Sequence, residues 1–436
     1  MAHPVDAQAL PVVIGSGLTG LSISHYLSRA SIDHVVIGRR PDNSPRLGES
    51  LNLEGTLLLQ EAFPELAHFF FPKRDALGFF GGFEVLCDFA VSQRAVSRAI
   101  FRSLGYAPAT EFLQVDRLGF DAALWDLATR SAHCTVLDAP VAELELDESA
   151  DRFTGIRLAD GTSLRPSYVF DATNHGRLLG QRAKIGYRTL GVPQRVAYTH
   201  YHLAPDASRD PEPWERSTAV IRLTPASDGV DAMAWCIPLG DYVSIGLSTG
   251  ETEIELDDEA LLERTAIAFA RHGIDYRRSY PNRVEPKGLR HSYFAYERAS
   301  GANWLLAGPS FCQVWWLASA GVGTALTAAQ LAPRFIQDPL RWGAEYDQYM
   351  KQLLPIHDTF DYFALSRREE YEPDALHRFS DRFVKTSLVR LAGSTRLRDD
   401  RLATVASSAM SWLFRHPKTL HDYCSVRRVD QATQVA

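Results

Sequence analysis

The chain has 436 residues, 45% of them hydrophobic and 23% charged, and a formal net charge of -7. This length exceeds one ordinary domain and predicts two or three packed units around an ample core, while the acidic balance argues against nucleic acid or an anionic membrane as partner and leaves room for a local basic patch. No run reaches the roughly 18 apolar residues of a membrane span, the N-terminus has no basic leader, and the five cysteines (Cys87, Cys134, Cys236, Cys312 and Cys424) lack CxxC spacing; no metal site, no disulfide framework and a cytoplasmic location are expected.

In chain order, Val12 to Ile14 read as a buried strand. Gly15, Gly17 and Gly20 follow as GxGxxG, then helical periodicity from Leu21 to Ala30 and a second strand at Val35 to Ile37. A dinucleotide site needs such glycines for the tight turn, for close approach of backbone to a pyrophosphate and for helix-to-strand packing, and the phosphates then meet free N–H groups at the helix N-terminus. The second strand of such a unit ends in an acid about 20 residues after the glycines. Here it ends VVIGRR, with Gly38 in that place and Arg39 and Arg40 after it. Either the adenosine is held by other groups, or an arginine stacks or pairs where the acid would have paired.

Further blocks follow in order: SPRLGESLNLEG (44–55), FPKRDALGFFGG (71–82), FLQVDRLGFDAALWDLA (112–128), YVFDATNHGRLLGQR (168–182) and GANWLLAGPSFCQVWWLASAGVGT (301–324). With the glycine turn, these blocks resemble the superfamily of FAD-dependent monooxygenases and flavin-dependent halogenases. The resemblance implies an α/β fold: a Rossmann-like FAD-binding domain with an inserted antiparallel-sheet substrate domain and a C-terminal helical region. The FAD-binding parts are placed at 1–76, 111–185 and 286–335, the substrate-domain parts at 77–110 and 186–285, and the helical region at 336–436. It implies that FAD is held by Gly15, Gly17, Gly20, Arg39, Arg46, Glu49, Ser50, Arg117, Asp171, Gly308, Pro309, Gly321 and Val322. Asp171 belongs to a strand-end DAxG segment with two residues inserted before Gly176.

The departures from the family pattern matter as much as the matches. Pro309 replaces the aspartate whose carboxylate holds the ribityl chain, and with the strand-two acid also missing, loose FAD binding is expected. In MAWCIP, Trp235, Ile237 and Pro238 match the halogenase WxWxIP motif while Met233 replaces its first tryptophan. Trp316 stands where proline is frequent and Ala320 where a hydroxyl residue is common. Trp235, Trp315 and Trp316 are candidate walls of an aromatic pocket, or plain core. Lys73 matches the halogenase lysine that tames hypohalous acid, or is one charge of a solvated Lys-Arg-Asp loop. His200 and His202 share one face of a strand and are candidate proton acceptors, or satisfied structural histidines; Glu49 suits positioning better than general-base work.

The resemblance implies chemistry through a flavin hydroperoxide, with dioxygen as co-substrate and electrons from NAD(P)H directly or through a separate flavin reductase. The expected reaction is hydroxylation of an electron-rich aromatic ring. The departures look closest to flavoproteins that hydroxylate a tryptophan of a partner polypeptide during maturation of a tryptophylquinone cofactor. The alternatives are halogenation, or hydroxylation of a small indole or phenol.

Overall fold

The computed structural model describes residues 9–89, 102, 112–204, 210–250, 254–361, 373–399 and 424–429. Residues 90–101 and 103–110 of the expected substrate-domain segment 77–110, and residues 362–372, 400–423 and 430–436 of the expected helical region 336–436, lie outside them.

A five-stranded parallel sheet runs in the order Trp304–Leu306, Val169–Asp171, Val12–Ile14, His34–Ile37, Cys134–Leu137. Its strands are short and continuously apolar because helices cover both faces. The helix Leu18–Arg29 leaves the first strand through the glycine turn. Gly15 sits at φ +113°, and a Cβ there would meet the Ala172 carbonyl oxygen at 2.6 Å; a Cβ on Gly20 would strike the Gly15 carbonyl. These two glycines therefore serve the fold itself.

Above this sheet lies a large mixed one. Its path is Cys312–Gln313, Lys287–Tyr296, Tyr187–His202, Tyr242–Thr249, Ala232–Pro238, Ser217–Leu223, Asp75–Phe80, Phe83–Asp88 and Cys424–Arg428. Ser217–Leu223 and Asp75–Phe80 run parallel and the other neighbours antiparallel. The α/β class and the inserted sheet are as expected. One difference is that the last described segment is a strand, not a helix. A second is that Cys87 is disulfide-bonded, whereas Cys134, Cys236 and Cys312 are free. This corrects the expectation drawn from cysteine spacing, which detects only cysteines close in sequence. Cys87 stands opposite Cys424 across the sheet, at the other end of the chain. A disulfide is uncommon in a reducing compartment. Among the described residues no helix is long and apolar enough to cross a membrane.

The helix Ala320–Gln337 links the layers, packing on Leu18–Arg29 and on Leu53–Ala62. The C-terminal helix Pro373–Arg398 is locked to this unit by buried Arg390, which pairs with Glu54 at 3.0 Å and donates to Tyr349 Oη at 2.6 Å.

Candidate active site: a basic groove joined to an aromatic chamber

Two cavities meet between the layers. The first, about 560 Å³, is a groove lined by Ser16, Gly17, Arg39, Arg40, Arg46, Arg117 and Lys287 among others. The second, about 420 Å³, is a chamber lined mainly by apolar and aromatic groups, including Phe89, Phe112, Val220, Trp235, Trp315 and Trp316, with Glu49, Ser50 and Lys73. Gly48, Asn174, His175, Pro309, Gly321 and Val322 line both, so a ligand that fills the groove continues into the chamber.

The groove is built to receive negative charge. Gly17 caps Leu18–Arg29 and Ser319 caps Ala320–Gln337, neither with a side-chain cap bond, so the first amides of two helices are left for a ligand. A Cβ on Gly17 or on Gly321 would meet no protein atom within 4 Å, although both line the groove. The space over these two residues is kept open for something other than protein. Arg117 makes a bidentate pair with Asp121 at 2.9 Å and donates to the Leu47 carbonyl at 3.0 Å, while Arg46 contacts Asp121 at 3.5 Å and the Asp42 carbonyl at 2.7 Å. Asp121 thus orients both arginines toward the groove.

The missing strand-two acid has a steric cause. A Cβ on Gly38 would lie 2.5 Å from Ser16 Oγ, which donates to the Arg39 carbonyl at 2.6 Å. The serine of the glycine turn occupies the acid's place, and Arg39 lines the groove instead. Asp171 lines neither cavity. Its carboxylate accepts from the Thr173 N–H (3.0 Å), Thr173 Oγ1 (2.6 Å) and the Leu179 N–H (2.9 Å), bracing the loop that carries Asn174 and His175; burial raises its pKa. The Gly308–Ser310 turn is held from both sides: the Gly308 N–H donates to Tyr346 Oη at 2.7 Å, and Ser310 Oγ accepts from the Asn174 N–H at 2.8 Å.

Lys73 is not on a solvated loop. It ends the strand Phe70–Lys73, is 4% exposed, and donates to Ser50 Oγ at 2.9 Å and to the Leu51 carbonyl at 2.6 Å. Its ammonium lies 4.9 Å from the Phe89 ring centre, and burial alone lowers its pKa to about 7. Ser50 Oγ is also 3.0 Å from Thr218 Oγ1, which accepts from Gln114 Nε2 at 2.9 Å, so a hydrogen-bonded chain leads away from the lysine. Glu49 lines the chamber and pairs with His200 Nε2 at 3.3 Å, both almost fully buried. His200 and His202 line neither cavity. Both rings pack against Tyr242, and burial, then His200, lowers the pKa of His202. They stand behind the chamber wall.

Trp235 and Trp316 meet edge to face at 5.0 Å, and Trp315 is buried against Tyr293 at 5.3 Å. Sequence reasoning passed over four further chamber residues: Asn174, His175, His291 and Gln313. Asn174 and His175 are the insertion in the DAxG segment, which is the available signal; His291 and Gln313 lie on two strands, Lys287–Tyr296 and Cys312–Gln313, that pair with each other, and meet the insertion only in the fold.

No family model matches the chain. Short stretches match FAD-dependent monooxygenases: nvfK of Aspergillus novofumigatus (43% identical over 42 residues) and andE of Emericella variicolor (38% over 60 residues). The chain spans 9% and 13% of the length of these relatives. The similarity to solved structures runs nearly end to end. The flavin-dependent brominase Bmp2 is matched with TM-score 0.61 and 16% identity over 94% of this chain and 98% of that one. BrvH, a flavin-dependent halogenase from Brevundimonas sp. BAL3, gives 0.62 and 12% over 95% and 96%. A flavoprotein/dehydrogenase from Cytophaga hutchinsonii gives 0.64 and 17% over 94% and 99%. The chain therefore has the fold of the flavin-dependent halogenases, with a basic groove and an aromatic chamber joined at the start of the helix Ala320–Gln337.

Proposed function

We propose that the protein is an FAD-dependent monooxygenase that hydroxylates an electron-rich aromatic ring, and that the ring is a tryptophan of a partner polypeptide in quinone-cofactor maturation. The carrying observation is the continuity of the groove into the chamber at Gly48, Pro309, Gly321 and Val322. The residues present fit FAD. Gly17 and Gly321 leave the clearance that a diphosphate and a flavin ring require, and the uncapped helix starts and Arg39, Arg46 and Arg117 offer donors to the diphosphate. When bound, reduced FAD supplies an oxygen atom activated from dioxygen, with electrons from NAD(P)H directly or through a flavin reductase.

The chain's own contribution is to hold the ring, exclude water and take a proton. Phe89, Phe112, Trp235 and Trp316 form apolar walls that strengthen every charge interaction inside. Lys73, with a pKa of about 7, is part neutral near neutral pH and receives the proton that the ring loses, and the chain Ser50–Thr218–Gln114 carries hydrogen bonds away from it. Glu49, fixed by His200, positions the strand of backbone on which Ser50 sits.

Halogenation is the second reading, favoured by the fold and by Lys73 at the chamber wall. The two are separated by incubating the FAD-loaded protein, a flavin reductase, NAD(P)H and air with the aromatic substrate, with and without bromide. Gain of one oxygen atom in both cases supports hydroxylation; a product carrying the bromine isotope pair overturns it.

A further inference from the structure

The two inserted residues of the DAxG segment give the chamber a polar corner. Asn174 stands in the left-handed region at φ +52°, which a non-glycine residue adopts only when its surroundings hold it there, and the Ser310 and Asp171 bonds do so. The carboxamide oxygens of Asn174 and Gln313 and the Nδ1 of His291 are buried with no hydrogen-bond partner, and all three residues line the chamber. His175, exposed at the surface, stands 5.6 Å from His291 ring to ring, and its Nε2 is 3.4 Å from Gln313 Nε2. Buried polar atoms left unpaired cost stability, and a cluster of them in one cavity marks a place where a ligand completes the bonds.

We propose that Asn174, His175, His291 and Gln313 recognise an uncharged amide of the substrate backbone beside the ring to be oxidised. This deepens the polypeptide-substrate reading and rests on it. Charge selects the ligand. Two carboxamides and two imidazoles offer donors and acceptors without net charge, which complements the N–H and C=O of an amide. Burial, then the neighbouring His175, pushes the pKa of His291 down to about 4, so its ring is neutral under ordinary conditions. Burial, then Arg177, lowers the pKa of His175, and the Arg177 guanidinium lies over the rings of Tyr187 and Phe294 at 4.9 and 4.7 Å. Tyr293, whose ring packs on His291, adds no charge. The ionic chamber residues are already engaged, Glu49 with His200 and Lys73 with Ser50 and Leu51. Among the described residues that corner holds no free counter-ion for the carboxylate and ammonium that a free amino acid would bring. A residue inside a polypeptide brings neutral amides.

The test is ligand binding to the oxidised, FAD-loaded protein, followed by calorimetry and by the flavin difference spectrum. N-acetyltryptophanamide is expected to bind at least roughly tenfold more tightly than tryptophan. Gln313→Glu, nearly isosteric, and His291→Phe, both on the chamber side only, should each remove that preference while leaving FAD affinity unchanged; if His291→Phe fails to fold, Gln313→Glu carries the test alone. Equal binding of the two ligands overturns the inference, as does a preference that survives Gln313→Glu. Variants that weaken FAD and not the capped ligand also overturn it, by assigning the corner to the cofactor. Because no turnover is required, the inference can stand when oxygen transfer is absent, and can fall while hydroxylation is observed.

Discussion

The groove and the chamber share a wall but are built from different parts of the polypeptide. The groove is made largely of backbone and charged ends presented by short local motifs: a glycine turn, two uncapped helix starts, and arginines steered by Asp121. The chamber is made of side chains from strands that are distant in sequence, with Lys73, Thr218, Trp235 and His291 each on a different one. A local device tolerates few changes at a few positions. A composite one spreads its chemistry over many positions on distant strands.

The largest effect that would break this contrast is expected at Gly17. A valine there places methyl groups in the clearance over the helix start, where no protein atom lies within 4 Å, so the fold should survive while the diphosphate loses its approach. Gly17→Val is expected to purify colourless, with an unchanged far-ultraviolet circular dichroism spectrum and no gain of flavin absorbance on incubation with excess FAD. Retention of full FAD would show that the nucleotide lies elsewhere.

Next in size is Lys73. Burial lowers its pKa from 10.5 to about 7, so between those values the unfolded chain holds the extra proton and the folded protein does not. Stability therefore rises with pH across that window. Lys73→Met removes the buried ammonium and should raise the melting temperature, most clearly below pH 7. The same change should lower turnover about a hundred- to ten-thousand-fold, and the limb of the pH–rate profile that climbs through about pH 7 should vanish. A profile that keeps this limb in the variant would take the proton-accepting role away from Lys73.

The same contrast decides what the sequence made legible. The glycine turn, the uncapped helices and Arg117 with Asp121 are local in sequence, and reading along the chain is enough to place them. Lys73 was ambiguous because Arg74 and Asp75 beside it suggest a surface loop; only pairing of Phe70–Lys73 with Phe112–Val115 buries the lysine. His200 and His202 show the converse. Their alternation predicts one shared face, and that face packs on Tyr242 behind Glu49. Which face of a strand looks into a cavity depends on register with distant strands, and no local pattern carries it. The insertion at Asn174 and His175 was visible as an interruption of a motif. Its meaning needed Gln313 and His291, brought in by the pairing of Lys287–Tyr296 with Cys312–Gln313.

Pro309 offers the smallest effect and the sharpest question about the junction. It lines both cavities inside a turn whose neighbours are fixed, Gly308 by Tyr346 and Ser310 by Asn174. Replacing it with aspartate therefore leaves these bonds intact and adds a carboxylate at the meeting point of groove and chamber. Two costs oppose the gain: a new N–H that proline lacks, and partial desolvation of a charge. One charge-assisted bond to a ribityl hydroxyl is worth about 1.5 to 3 kcal/mol, against which those costs leave about 1 kcal/mol, or roughly a fivefold lower Kd for FAD by fluorescence titration. A Kd that is unchanged or higher would show that the ribityl chain does not pass Pro309. The continuity of groove and chamber would then serve a different part of the ligand, and proline at 309 would reflect a turn built to seat Asn174.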